Sequence, residues 1–152
     1  AMVSPRLVPA SNPLHTIDDV FNGILVRCDM LGDAMFYGKG AGKLPTASAV
    51  VADVIEAARN LGNTLPCFWD AEEAKMADVN ETSKRFMVRA KMSARKELEE
   101  VFGTSNWCVM GKLFGEELAE EYAFLTEEMK EKDFDAKCVG FGDKIISRIR
   151  LA

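Results

Sequence analysis

The sequence predicts an α+β fold in two parts, a β-hairpin with one long helix and then a strand-helix-strand-strand-helix-strand sandwich. Three observations predict it. Residues 20–40 hold two apolar, strand-like runs around a turn-like Leu31-Gly32-Asp33, and a stretch with helical apolar spacing follows. Residues 63–82 lose periodicity. From residue 83 the apolar period switches between two and about 3.6 in the order βαββαβ, which describes two helices on one face of a four-stranded antiparallel sheet.

The first segment, VSPRLVPASNPLHTIDD, carries Pro5, Pro9 and Pro13 and reads as an extended edge or loop. VFNGILVRCDM and GDAMFYGKG form the hairpin, with Ile24, Val26 and Cys28 on one face. Pro45 and Thr46 supply helix-start chemistry, Val50, Val54 and Ala57 recur at helical spacing, and Gly62-Asn63 ends the helix after Leu61. Residues 63–82, with one proline and an acidic run, read as a linker. KRFMVRAKM alternates Phe86, Val88, Ala90 and Met92 against Arg85, Met87, Arg89 and Lys91, as a half-buried strand does. SARKELEEVFG sets Ala94, Leu98, Val101 and Phe102 on one helical face, with Ser93 as cap and Gly103 as stop. NWCVMGKLF and EEYAFLTEEM read as paired strands, EKDFDAKCVGF as a helix presenting Phe134, Cys138 and Phe141, and KIISRIRLA as the last strand.

At 152 residues, 48% hydrophobic and 28% charged, the chain has the makeup of a globular protein. Its net charge of -5 and lack of a basic cluster exclude a nucleic-acid surface. No apolar run reaches the length of a membrane span and no signal peptide is evident, so a cytoplasmic protein is expected. Cys28, Cys67, Cys108 and Cys138 are scattered among apolar neighbours with no CxxC pair, and are read as buried free thiols. His15 has no relay partner beside it and reads as a surface or packing residue. Glu97, Glu99, Glu100 and the run Glu127 to Asp135 read as solvated helix faces, and Trp69 and Trp107 as packing anchors.

The glycine run Gly38, Gly40, Gly42 ahead of the first helix has two readings. Backbone N–H groups at a helix start favour an anion, and glycines also permit a sharp strand-to-helix turn with no ligand. It is not a Walker loop, because Tyr37 and Leu44 stand where glycine and a hydroxyl residue are required. Nor is it the dinucleotide fingerprint, since its third glycine comes one residue early.

PLHTIDDVFNGILVRCDMLGDAMFYGKGAGKLPTASAVVADV resembles the end of the catalytic region of homoserine dehydrogenases. The shared features are a Pro-Leu, an Asn-(Ala or Gly)-Ile strand, Asp-x-x-Gly, Phe-Tyr-Gly-x-Gly-Ala-Gly and Pro-Thr-Ala-Ser-Ala-Val-Val, in that order from residue 3 to about residue 60. The resemblance implies an NAD(P)-dependent enzyme that interconverts aspartate semialdehyde and homoserine in threonine and methionine synthesis. It places Gly42, with Gly40 and Ala41, on the cofactor side of the site. The family's GxGxxG domain, and the acidic residue and lysine that handle the substrate's proton, have no counterpart here. Lys39 and Lys43 do not match that lysine, so no catalytic residue is assigned.

The chain therefore reads as a C-terminal fragment, with Ala1 ahead of Met2 an expression remnant. NAD or NADP is the cofactor expected of the full-length enzyme, and this fragment alone is expected to be inactive and to bind neither tightly. Residues 1–62 are assigned to the end of the catalytic region, 63–82 to the linker and 83–152 to an ACT-like regulatory domain of the ferredoxin-like βαββαβ kind. Many family members carry such a domain at this place. Where ACT domains have an Asp and a Pro-Gly pair, this chain reads KMSARKELEE. A homodimer and an amino-acid effector, threonine first, are the expected partners, with no nucleic acid and no membrane. The alternative is a freestanding amino-acid-sensing or interaction module without catalytic activity.

Overall fold

A computed structural model describes residues 2–63, 66–103 and 107–152. The readings of Ala1, of residues 64–65 in the linker and of Asn106 at the head of NWCVMGKLF lie outside the described residues. In chain order the elements are β1 (Arg6–Leu7), β2 (Phe21–Cys28), β3 (Gly32–Lys39), α1 (Lys43–Arg59), β4 (Ser83–Lys84), β5 (Phe86–Lys91), α2 (Arg95–Phe102), β6 (Trp107–Val109), α3 (Met110–Phe114), β7 (Glu121–Leu125), β8 (Met129–Lys130), α4 (Glu131–Cys138) and β9 (Ile145–Leu151). The α+β class is the one the sequence predicts. By contacts the chain divides into two compact units, Ala1–Pro9 with Lys75–Ala152, and Ala10–Ala74.

The larger unit is built on a five-stranded sheet in the order β1-β9-β5-β7-β6. The pairs β9–β5, β5–β7 and β7–β6 are antiparallel, which is the split βαβ arrangement. β1 makes the sheet mixed by pairing parallel to β9, Arg6 opposite Arg150 and Leu7 opposite Leu151, and the Ala152 N–H donates to the Leu7 carbonyl at 2.9 Å. The period-two pattern of β5 sends Phe86, Val88 and Ala90 into the core, where each is fully buried. Leu98 and Phe102 of α2 and Phe134 of α4 meet them there together with Tyr122 and Phe124 of β7. The rings of Phe86 and Phe134 stack at 4.1 Å, and Phe102 lies 5.5 Å from Phe124 and 5.6 Å from Phe134. Each such buried side chain contributes about 2 kcal/mol, so this face closes a core of its own. Thr126, also buried, is satisfied on both sides: its N–H donates to the Phe86 carbonyl at 2.9 Å and its hydroxyl accepts from Phe86 N–H at 3.0 Å.

Residues 10–74 form a different kind of unit. β2 and β3 pair over eight residues from Phe21 opposite Lys39 to Cys28 opposite Gly32. Gly32 closes the connecting turn with φ 78°, a left-handed value that costs a glycine little. α1 then runs for 17 residues to Arg59, with Asn60 as its C-cap, and buries none of them. None of the described residues of this unit is buried, and Phe36 (66% exposed) and Val54 (62% exposed) stand out of its hairpin and helix. A lone hairpin is marginal in water, and this unit leaves its large apolar side chains on the surface.

Several local readings are corrected. Thr46 does not cap α1: Gly42 is the N-cap, and Thr46 N–H donates to the Gly42 carbonyl at 3.1 Å. Ser93 is not a cap either, because Met92–Ala94 form a 3-10 turn that leads into α2 from Ala94. Val101 faces out, since Phe102 takes the core position that four-residue spacing from Leu98 assigns. The strand read across NWCVMGKLF stops at Val109 and becomes α3, where Gly111 packs against the Ala119 backbone. Trp69 is 95% exposed and anchors nothing, and Trp107 lies on the surface under the Arg95 guanidinium, 3.4 Å from its ring centre. Among the thiols, all of them free, Cys67 and Cys108 are exposed and only Cys28 and Cys138 are half-buried. Glu131, read as part of a solvated run, is 3% exposed and holds Arg150.

Candidate functional site

β3 delivers the chain to Gly40, Ala41 and Gly42, which form an exposed bend before α1 begins at Lys43. Gly42 has φ 121° and ψ 156°, a region that an L side chain rarely enters, so the turn requires glycine there. α1 begins with no side-chain cap and no acidic residue in its first turn, which leaves the positive end of its dipole facing out beside the bend.

The hairpin register sorts the neighbouring side chains. Asn22 is opposite Gly38, and Gly40 follows two residues later, so all three share a face. A Cβ added to Gly38 would meet nothing within 4 Å, whereas one added to Gly40 would run into the Asn22 amide, with Cγ at 2.9 Å. The next pair on that face is Ile24 opposite Phe36, both exposed. On the other face Phe21 and Tyr37 stack at 4.9 Å, and Lys39 Nζ lies 5.5 Å from the Phe21 ring centre. The structure thus brings Gly40, Ala41 and Gly42 together at the mouth of α1 and adds Asn22, which the sequence reading passed over. Its signal was present: Asn22 is the asparagine of the Asn-Gly-Ile strand, and only pairing reveals that it faces the glycines.

The titratable groups held away from their ordinary values lie in the larger unit. Side-chain hydrogen bonds from Lys130 and then Lys132 hold the Glu81 carboxyl at about 2 rather than the ordinary 4.5. Burial, reinforced by Glu99 and opposed by Arg95, pushes the Tyr122 phenol up to about 12. Burial likewise raises the Cys138 thiol, with Arg148 opposing it. Among the described residues no group of three or more His, Cys, Asp or Glu could hold a metal ion, and no helix is long and apolar enough to cross a membrane. In the larger unit a depression of about 340 Å³ is lined by Met87, Trp107, Cys108, Ala123, Phe124 and Leu125.

Residues 1–55 match the family model for homoserine dehydrogenase. Over 141 residues, 91% of this chain, the sequence is 35% identical to homoserine dehydrogenase of Corynebacterium glutamicum. The chain belongs to the homoserine dehydrogenase family. Over a shorter stretch, 57 residues, it is 54% identical to the homoserine dehydrogenase of Neisseria gonorrhoeae. Among solved structures, homoserine dehydrogenase from Thiobacillus denitrificans matches 98% of the chain with a TM-score of 0.71 at 23% identity, a likeness of fold. The S. aureus homoserine dehydrogenase structure at pH 7.5 matches 97% with a TM-score of 0.63 at 26% identity. The chain spans 29% of the C. glutamicum protein, 13% of the N. gonorrhoeae protein, and 38% and 36% of the two solved chains.

Proposed function

We propose that this chain is the C-terminal portion of an NAD(P)-dependent homoserine dehydrogenase, and that Gly40, Ala41 and Gly42 form the cofactor-side loop of its active site. The observation that carries the reading is the bare backbone at Gly38, with the Asn22 amide lying over Gly40, beside the uncapped start of α1 in the segment that matches the family. A flat nicotinamide ring can approach the backbone closely where no Cβ intervenes, as at Gly38; the cofactor would accept or give the hydride exchanged with homoserine or aspartate semialdehyde. The exposed faces of β2, β3 and α1 would be covered by the preceding part of the polypeptide, which would also bring the catalytic acid and lysine. On this reading residues 1–62 complete the catalytic region, 83–152 are an ACT-like regulatory domain, and the fragment alone neither turns over homoserine nor holds the cofactor tightly.

The larger unit, with its own closed core, is the part expected to pair with a second copy and to answer an amino-acid effector, threonine first. Regulation would require the effector to bind two states of the enzyme unequally. The test is a fusion in which this chain replaces the matching 141-residue segment of the C. glutamicum enzyme. Homoserine-dependent reduction of NAD or NADP by the fusion, with none from the chain alone, is the expected result. A folded fusion that cannot oxidise homoserine would refute the assignment.

A further inference from the structure

We propose that Asn22 is a ligand-contacting residue of this site, its side-chain carboxamide pairing with the carboxamide of a nicotinamide ring laid over Gly38. The inference rests on the cofactor-side reading of the glycine loop and adds a residue outside it. Three observations place Asn22 there. The strand register puts its side chain on the face that Gly38 leaves bare. A Cβ at Gly40 would collide with its amide, so the amide lies against the loop, while the space above Gly38 is open. The side chain is exposed and makes no hydrogen bond among the described residues, so its donors and its acceptor are available.

The surroundings select the ligand's chemistry. Lys39 and the stacked Phe21–Tyr37 pair lie on the opposite face, so Asn22 is the one polar side chain of the strip from Ile24 and Phe36 to Gly40. Ile24 and Phe36 supply an apolar margin for a ring, and the glycines let the ring approach the backbone. An asparagine side chain and a primary carboxamide each offer N–H donors and a carbonyl acceptor, so two mutual hydrogen bonds form in one plane. An anion would be served as well by a lysine; an amide at this place matches an amide-bearing ring.

The test uses the fusion described above, with binding of NADH and NADPH read by fluorescence titration as well as turnover. Asn22→Ala is expected to weaken reduced-cofactor binding about tenfold. Asn22→Asp, which retains an acceptor and loses the donor, is expected to fall between. The 3-acetylpyridine analogue, whose methyl replaces the amide nitrogen, should lose only about threefold on Asn22→Ala, because one of the two hydrogen bonds is already missing. Gly40→Ala, which pushes the Asn22 amide aside, should reproduce the loss, and the double variant should be no worse than either single one. Asn22 is exposed, so circular dichroism should show its variants folded. If the unsubstituted fusion binds no nicotinamide cofactor, the loop assignment and this inference fall together. If it binds and Asn22→Ala binds as tightly, or loses equally for cofactor and analogue, this inference alone is overturned.

Discussion

Replacing Glu131 by Gln tests whether a buried carboxylate ties α4 to the strand that receives β1. Both Glu131 oxygens bind Arg150, Oε2 accepting from Nε at 2.9 Å and Oε1 from Nη2, and Arg148 Nη2 lies 3.5 Å from Oε1. The Glu131 N–H also donates to the Thr82 carbonyl at 3.1 Å, which the substitution leaves in place. Glutamine keeps the volume and one acceptor but loses the charge that two guanidinium groups face. Breaking a fully buried pair costs about 3–5 kcal/mol, but the side chains of Arg150 and Arg148 are 20% and 35% exposed, so solvent recovers part of it. A loss of about 2 kcal/mol remains, the range of hydrogen bonds to charged groups. In urea that corresponds to a midpoint lower by about 1 M. Because the chain has two units, unfolding is best followed by amide exchange of β5 and β9 rather than by a global signal. A cycle with Arg150→Met should return most of the 2 kcal/mol as coupling. A loss under about 0.5 kcal/mol, or additive single effects, would refute the argument that the pair is desolvated and joined.

Tyr122 is fully buried and its hydroxyl has no partner among the described residues, so Tyr122→Phe should stabilise the larger unit by about 1 kcal/mol in urea unfolding; destabilisation would mean the hydroxyl is satisfied. Glu81, held at about 2 by Lys130 and Lys132, has a folded value below its ordinary one, so its contribution is full above pH 4.5 and disappears as pH falls through 2. Carboxyl carbon shifts followed by NMR from pH 6 downward should show its midpoint near 2, and a midpoint near 4.5 would show the two lysines swinging free. Gly42→Ala forces a side chain to φ 121° and should cost the fusion about 1–3 kcal/mol in urea, whereas an unchanged midpoint would show that the loop relaxes without loss.

The sequence by itself determined most of the local elements and the family, but not the caps of α1 and α2 or the helix α3. β5 could be read from its alternation and α1 from its apolar spacing, because a strand or helix period is written in adjacent residues. The glycine run, the Asn-Gly-Ile strand and the Pro-Thr-Ala-Ser helix start lie within one short stretch, so their order was readable too. Charge patterning misled where partners come from afar: Glu131 sits in an acidic run that looks solvated, and it is buried because Arg150 of β9 reaches it. Only the tertiary structure paired β1 with β9, joining opposite ends of the chain through a strand of two residues. It alone set Asn22 against Gly40, since the hairpin register decides which face each side chain takes. Local period is encoded in neighbours, whereas register and burial depend on which distant segments meet, and no short window of sequence contains both partners.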